Sequence, residues 1–186
     1  MWVGIAAING RSTRSITQVY SFLMSSTRFA RVNSPVGVLT LVADDAGLRE
    51  INFPRDGRPA AVDSRWVQDA STFSETTRQL RAYFAGELEN FDLALAPAGT
   101  QFQQKVWNAL CKIHYGQTIS YGELAGRIGN PNASRAVGLA NGSNPIPIII
   151  PCHRVIGANG KLTGYGGGLE IKEKLLALER RQLRLL

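Results

Sequence analysis

Pro145-Ile146-Pro147-Ile148-Ile149-Ile150-Pro151-Cys152-His153-Arg154-Val155-Ile156 is the stretch around which the rest of the chain orders itself. Its β-branched run, Ile148 to Ile150, predicts a buried strand. Pro151 removes a backbone donor and stiffens the approach to the polar turn Cys152-His153-Arg154. Cys152 therefore falls where a buried strand ends. A lone cysteine is often no more than a small buried hydrophobe. Here a histidine and an arginine follow directly, and nearby positive charge lowers a thiol pKa and favours the nucleophilic thiolate. Neighbours on a strand point to opposite faces, so His153 would reach Cys152 only across a turn or a bridging water.

Upstream the pattern is helical. Phe102, Val106, Ala109, Leu110 and Ile113 form one apolar stripe that Gly116 closes. Ser120 can cap a helix over Tyr121 to Ile128 with Leu124, Ala125 and Ile128 inward, and the break Gly129-Asn130-Pro131-Asn132 precedes a helix from Ala133 to Asn141. Two short helices across a glycine-containing turn read as a helix-turn-helix, although an ordinary helical corner looks the same. Downstream, Lys161-Leu-Thr-Gly-Tyr-Gly-Gly-Gly168 sets four glycines around Tyr165, where backbone can approach a ligand closely. No Gly-Lys-Ser/Thr follows, so it is not a phosphate-binding P-loop. A last helix, Glu170 to Arg184, carries Ile171, Leu175, Leu178 and Leu185 on its apolar side. Glu179 sits beside that stripe, either solvated or placed to orient His153.

The first half reads as strands. Arg31-Val32, Val38 to Ala43 and Leu48 to Phe53 are separated by the turns Ser34 to Gly37 and Asp44 to Gly47, which predicts an antiparallel meander. Pro54 to Pro59 is a loop. Thr76 to Phe84 is a helix that Gly86 ends, and Phe91 to Leu95 is a short strand in the connector. Pro97, Gly99 and Thr100 mark a domain boundary. Residues 1–24 are acid-free and contain arginine and serine; they fit either a transit peptide or an extension upstream of a start near Met24, and stay outside the fold argument.

Composition narrows the classes. In 186 residues, 44% are hydrophobic and 19% charged, enough for a packed core and too little charge for wholesale disorder. No apolar run reaches the roughly 18 residues of a membrane span. Two cysteines exclude a disulfide-rich scaffold and point to a reducing, cytoplasmic setting. Cys111-x-x-His114 with the adjacent Cys152-His153 suits a four-coordinate metal poorly, and Cys111 is expected to pack. The net charge is +7, and residues 99–186 hold eleven basic against four acidic residues, whereas 44–98 hold six against ten. The C-terminal half is the one suited to a polyanion, unless those residues merely solvate helix faces.

Ile150-Pro-Cys-His-Arg-Val155 resembles the O6-alkylguanine-DNA alkyltransferase family, also called methylated-DNA–protein-cysteine methyltransferases. Tyr121-Gly-Glu-Leu-Ala, Asn132-Ala-Ser-Arg135-Ala-Val-Gly, Ala140-Asn-Gly-Ser-Asn144-Pro, Gly164-Tyr-Gly-Gly-Gly and Lys172-Glu-Lys-Leu-Leu-Ala-Leu-Glu179 follow in matching order and spacing. The match is close over roughly 100–180 and loose over 28–98. It implies an α/β (α+β) fold: a small antiparallel sheet-plus-helix domain of ribonuclease-H-like shape over 25–98, then a mostly helical domain over 99–186 with the helix-turn-helix.

The resemblance also implies roles. Cys152 would accept the alkyl group, His153 would take its proton through a water, Glu179 would hold His153, and Asn144 would brace the turn. Tyr121 would help rotate the nucleotide out and donate a proton near the purine. Arg135 would fill the vacated stack, which offsets part of a flipping cost of a few kcal/mol. The helix from Ala133 would lie in the minor groove, with Gly122, Asn130 and Ser134 also against DNA. Val155, Tyr165 and Gly166 would line the guanine pocket, largely through backbone. The implied partner is double-stranded DNA containing O6-alkylguanine, met by a monomer, acting alone or cooperatively along the DNA, with no membrane, metal or cofactor. His114 stands where relatives carry proline. The alternative is a helix-turn-helix protein that binds DNA without reacting, which would leave Cys152 and His153 unused.

Overall fold

The computed structural model describes residues 26–182, with side chains to Arg180. The acid-free segment 1–24, and Leu185 of the last helical stripe, lie outside the described residues.

Three strands form the expected meander: β1 (Arg28–Ser34), β2 (Gly37–Asp44) and β3 (Gly47–Asn52), with Val32 opposite Leu39 and Leu41 opposite Ile51. Their turns are fixed by short polar side chains. Ser34 Oγ donates to the Gly37 carbonyl at 2.7 Å, and Asp44 Oδ1 accepts the Ala46 N–H at 2.9 Å. Leu39 to Ala43 are all buried, so the central strand is covered on both faces. A fourth strand that the sequence does not announce, β4 (Val67–Gln68), pairs parallel with the start of β1 and gives the order β3-β2-β1-β4. Two exposed residues carry no readable period. The short strand expected over Phe91 to Leu95 is instead a single bridge from Leu95 to Leu48, with Leu48 donating to Ala94 and Ala96 donating to Leu48, each at 2.8 Å.

Helix α1 (Ser74–Ala85) buries Thr76, Gln79, Leu80 and Tyr83, and ends at Gly86 in the left-handed conformation (φ 81°). Thr100 and Gln103 cap α2 (Gln101–Leu110) reciprocally, and its Trp107 Nε1 donates to the Ala140 carbonyl at 2.8 Å. Ser120 and Glu123 form the same kind of box at the start of α3 (Tyr121–Arg127). Helix α4 (Ser134–Gly142) follows the glycine break, which completes the helix-turn-helix. Two short parallel strands, β5 (Ile119–Ser120) and β6 (Val155–Ile156), tie the start of α3 to the segment after Cys152. Helix α5 (Leu169–Gln182) closes the chain. Among the described residues no helix is long and apolar enough to cross a membrane.

The strand expected over Ile148 to Ile150 does not form. The segment folds back as a turn in which Ile150 donates to the Ile146 carbonyl at 2.9 Å, and Ile148 takes a φ of 76°. Prolines at 145, 147 and 151 remove the donors a strand ladder would need. The isoleucines are buried nonetheless, as a plug beneath Cys152. Its far side meets the sheet, where Ile51 donates to the Pro145 carbonyl at 2.9 Å. One continuous apolar cluster thus runs through both halves.

Gly47 and Gly57 both need positive φ, but only Gly47 is crowded: an added Cβ would lie 2.4 Å from the Ala94 carbonyl oxygen, while at Gly57 it would meet nothing within 4 Å. Gly57→Ala should cost about 1 kcal/mol and Gly47→Ala about 3 kcal/mol. Urea unfolding of the two variants gives the comparison, and equal losses would disprove the crowding argument.

Candidate active site

The turn that replaced the expected strand delivers Cys152. Pro151 ends it, Cys152 N–H donates to the Ile150 carbonyl at 2.8 Å, and Cys152-His153-Arg154 form one turn of 3-10 helix. Asn144 holds the turn from inside. Its Nδ2 donates to the Ile150 carbonyl at 2.7 Å and to Cys152 Sγ at 3.0 Å, while its Oδ1 accepts the Ile146 N–H at 3.0 Å. The sulfur is 4% exposed at residue level, and burial pushes its pKa up to about 11 against the pull of the Asn144 amide and the Lys172 ammonium. This corrects the expectation of a lowered pKa: the resting group is a thiol. The two cations next in sequence do not activate it, because one is neutral and the other is engaged elsewhere.

His153 and Arg154 turn toward Glu179. His153 Nε2 lies 2.8 Å from Glu179 Oε1. Arg154 Nη2 donates to Oε1 and Nε to Oε2, both at 3.0 Å, and Nη1 donates to the Ile113 carbonyl at 2.6 Å. The Gly116 N–H adds 3.0 Å to Oε2, and the Tyr83 hydroxyl adds 2.9 Å to Oε1. Burial alone would raise the Glu179 pKa; the hydrogen bonds from His153 and Arg154 and the positive charge of Arg154 outweigh it and hold the carboxyl at about 2. Burial keeps His153 below its ordinary value, so the imidazole rests neutral with Nε2–H donated to the carboxylate. Its Nδ1 is then a bare acceptor, with no hydrogen-bond partner among the described residues.

Lys172 is the residue that motif reading passed over. It is fully buried on α5, and its Nζ donates to the Val155 carbonyl at 2.6 Å and the Thr163 carbonyl at 3.0 Å. It joins the strand after Cys152 to the glycine-rich segment. The available signal was phase: Lys172, Leu175, Leu176 and Glu179 share the buried side of one helix. Two of the eleven C-terminal cations, Arg154 and Lys172, are therefore internal rather than surface charges. Cys111, expected to pack, is exposed at the end of α2.

A cavity of about 770 Å³ opens over Cys152. Asn144, Tyr165 and Gly166 line it from the C-terminal half, and Phe53, Arg55 and Trp66 from the N-terminal half, a contribution no motif disclosed. Phe53 packs on Tyr165 with ring centroids 5.7 Å apart and lies so close to Gly167 that an added Cβ would sit 2.7 Å from the ring. Through Tyr165 and Gly166 this cavity meets an open cleft of about 580 Å³ lined by Tyr121, Ser134 and Arg135. Thr163 Oγ1 donates to the Tyr121 hydroxyl at 2.9 Å. Arg135 is exposed and makes no hydrogen bond or ion pair among the described residues. Gly122 and Asn130 are exposed on the same helix-turn-helix, and Ala133 precedes α4, but none of the three lines either hollow. Val155 is also outside them: it is fully buried, with its carbonyl taken by Lys172 and its N–H by the Cys152 carbonyl.

Comparison with known proteins covers both halves. A family model described as the 6-O-methylguanine DNA methyltransferase DNA binding domain matches residues 101–181, and one described as the ribonuclease-like domain matches residues 20–97. A methylated-DNA–protein-cysteine methyltransferase from Methanosarcina acetivorans is 59% identical over 81% of this chain and 97% of its own. One from Mycobacterium tuberculosis (strain H37Rv) is 53% identical over 82% of this chain and 92% of its own. The crystal structure of Mycobacterium tuberculosis OGT in complex with DNA is similar at a TM-score of 0.78 and 52% identity, over 83% of this chain and 94% of that one. The O6-methylguanine-DNA methyltransferase of Pyrococcus kodakaraensis KOD1 matches at 0.62 and 27% identity, over 82% and 98%. The two family models together match both the sheet-and-helix half and the helix-turn-helix half, and the chain belongs to the 6-O-methylguanine DNA methyltransferase family.

Proposed function

We propose that this protein repairs alkylated DNA by direct reversal, moving an alkyl group from O6 of guanine in a duplex to Cys152 in an irreversible reaction that each molecule performs once. The observation that carries the reading is a protonated, cavity-lining thiol at Cys152 next in sequence to a neutral histidine whose Nδ1 has no hydrogen-bond partner among the described residues. A thiol at about 11 needs a base, and His153 has a lone pair to offer. The Cys152 proton passes across a water to Nδ1, and Glu179 stabilises the imidazolium. The sulfur forms a bond to the alkyl carbon as the O6–carbon bond breaks, and the electron pair stays on the purine. Tyr121 protonates that purine. Its oxygen already accepts from Thr163, so its own proton is free to donate. The product is a thioether, which simple hydrolysis does not reverse.

Delivery follows from the adjoining cleft. A guanine inside a duplex keeps its O6 substituent away from a buried sulfur, so the nucleotide rotates out. Arg135, exposed and unpaired, stacks in the gap. Gly122, Asn130, Ala133 and Ser134 seat the helix-turn-helix in the minor groove, and Tyr165 and Gly166 receive the base. The chain divides at about residue 98 into a sheet-and-helix domain and a DNA-binding, alkyl-acceptor domain, and acts as a cytoplasmic monomer. Free cysteines, Cys111 and Cys152, support the reducing compartment.

Three outcomes are expected. Incubation with a duplex carrying O6-methylguanine should add one methylene to the intact mass, mapped to the Cys152 peptide and absent in Cys152→Ser; tight binding without a mass gain would return the non-reacting helix-turn-helix reading. Arg135→Ala should slow transfer from duplex DNA about tenfold or more while leaving reaction with the free alkylated base unchanged; equal slowing of both would remove Arg135 from the flipping step. The Glu179 carboxyl is lower in the folded chain, at about 2, than its ordinary 4.5. Its stabilisation is therefore complete above about 4.5 and lost as pH falls toward about 2. Denaturation midpoints of wild type and Glu179→Gln should converge through that window, and parallel curves would contradict the shift.

A further inference from the structure

The Tyr83 hydroxyl stands out. The ring lies in an aromatic cluster, with centroids 5.4 Å from Phe84, 5.4 Å from Phe91 and 6.1 Å from Tyr115, and the residue is fully buried. A phenylalanine would serve such packing as well, without desolvating a hydroxyl. Among the described residues the hydroxyl has one hydrogen-bond partner, Glu179 Oε1, at 2.9 Å. That oxygen is also the one that faces His153 Nε2.

We propose that Tyr83, supplied by the N-terminal half, is a positioning residue for the proton acceptor: its hydroxyl bond to Glu179 sets the orientation and basicity of His153. This rests on the alkyl-transfer reading above. Three residues converge on Oε1: His153 at 2.8 Å, Tyr83 at 2.9 Å and Arg154, through Nη2 at 3.0 Å and Nε at 3.3 Å. Oε2 is held by Arg154 Nε and the Gly116 N–H. Each donor takes part of the carboxylate's charge, so each weakens its pull on the Nε2 proton. With Tyr83 in place the carboxylate fixes the Nε2–H tautomer without drawing His153 into a permanent ion pair, and Nδ1 stays available at neutral pH. Without it, Oε1 loses a donor that no solvent can replace, and the remaining demand falls on His153 and Arg154. The imidazolium is then favoured and the free base becomes scarcer.

The charged and titratable groups around this pair come from every neighbouring element: Tyr83 from α1, Tyr115 after α2, Arg154 and Cys152 from the 3-10 turn, Lys172 from α5, and Tyr165 from the glycine-rich segment. Among them, Tyr83 is the neutral donor that reaches the Glu179 carboxylate from the sheet-and-helix half. The contact crosses 96 residues of chain, so the N-terminal half touches the chemistry through it as well as through the cavity wall.

Tyr83→Phe removes the oxygen and keeps the ring. The chain has only two histidines, so nitrogen-labelled histidine NMR follows His153 directly, with exposed His114 as internal reference. In Tyr83→Phe the His153 titration should move up by about half a unit to one unit. The acid limb of the transfer rate should move with it, slowing transfer about three- to tenfold at its foot, with duplex affinity unchanged within about twofold. Phe91→Leu loosens the same cluster without touching Glu179; it should lower the melting temperature and leave both pH curves in place. Fluorotyrosine installed at position 83 is a stronger donor of the same shape, should move the His153 titration down, and serves as the test if Tyr83→Phe does not fold. Unmoved curves in Tyr83→Phe, or an equal movement in Phe91→Leu, overturn the proposal. Absence of transfer in the wild type would overturn the function proposed above instead, and the histidine titration would still decide whether Tyr83 sets His153.

Discussion

A carboxylate away from water must be surrounded by donors, and Glu179 gathers them from parts of the chain that otherwise have little to do with one another. Arg154 and His153 come from the turn that carries Cys152, Gly116 from the loop after α2, and Tyr83 from the helix that backs the sheet. A buried charge with a partner missing costs several kcal/mol, so each of these segments is held to its place by the needs of one side chain. Arg154 extends the web to the Ile113 carbonyl and lies over the Tyr115 ring at 5.6 Å. The Cys152 turn is thereby built on the seam between the halves.

Asn144 and Lys172 do the same for the other side of the sulfur. Asn144 satisfies the turn that the prolines prevent from becoming a strand, and Lys172 fastens the chain on either side of the Gly157 to Lys161 loop. The backbone around Cys152 is irregular, yet its polar groups are satisfied by buried side chains. Irregular backbone of this kind can present a thiol end-on to a cavity, where a strand would have turned alternate residues away from it.

The meander, the Ser120 cap, the helix-turn-helix and the last helix were legible because each has a local cause, such as Ser34 and Asp44 at turns, Ser120 at a cap and Gly86 at a helix end, whereas the Thr100 cap was read only as a domain boundary. The β-branched run at 148–150 misled, because propensity spoke for a strand while three prolines in the same stretch spoke against its hydrogen bonds. β4 and the Leu48–Leu95 bridge were hidden for another reason, since pairings of one or two residues leave no period to read. At the site, motif spacing singled out Cys152, His153, Asn144 and Glu179. It did not disclose Tyr83, Phe53 or Trp66, whose part depends on how the halves face each other. The thiol's protonation state was misjudged because charge adjacent in sequence was taken as charge adjacent in space.

That protonation state bears on how long the protein lasts. Oxidants and stray electrophiles attack thiolates, and a buried thiol with a pKa near 11 offers almost none of that form at neutral pH. If Cys152 is the single-use acceptor proposed above, any reaction with the wrong partner wastes it. On that reading the raised pKa keeps the sulfur unreactive until a base, a cavity and a leaving group are brought together around it.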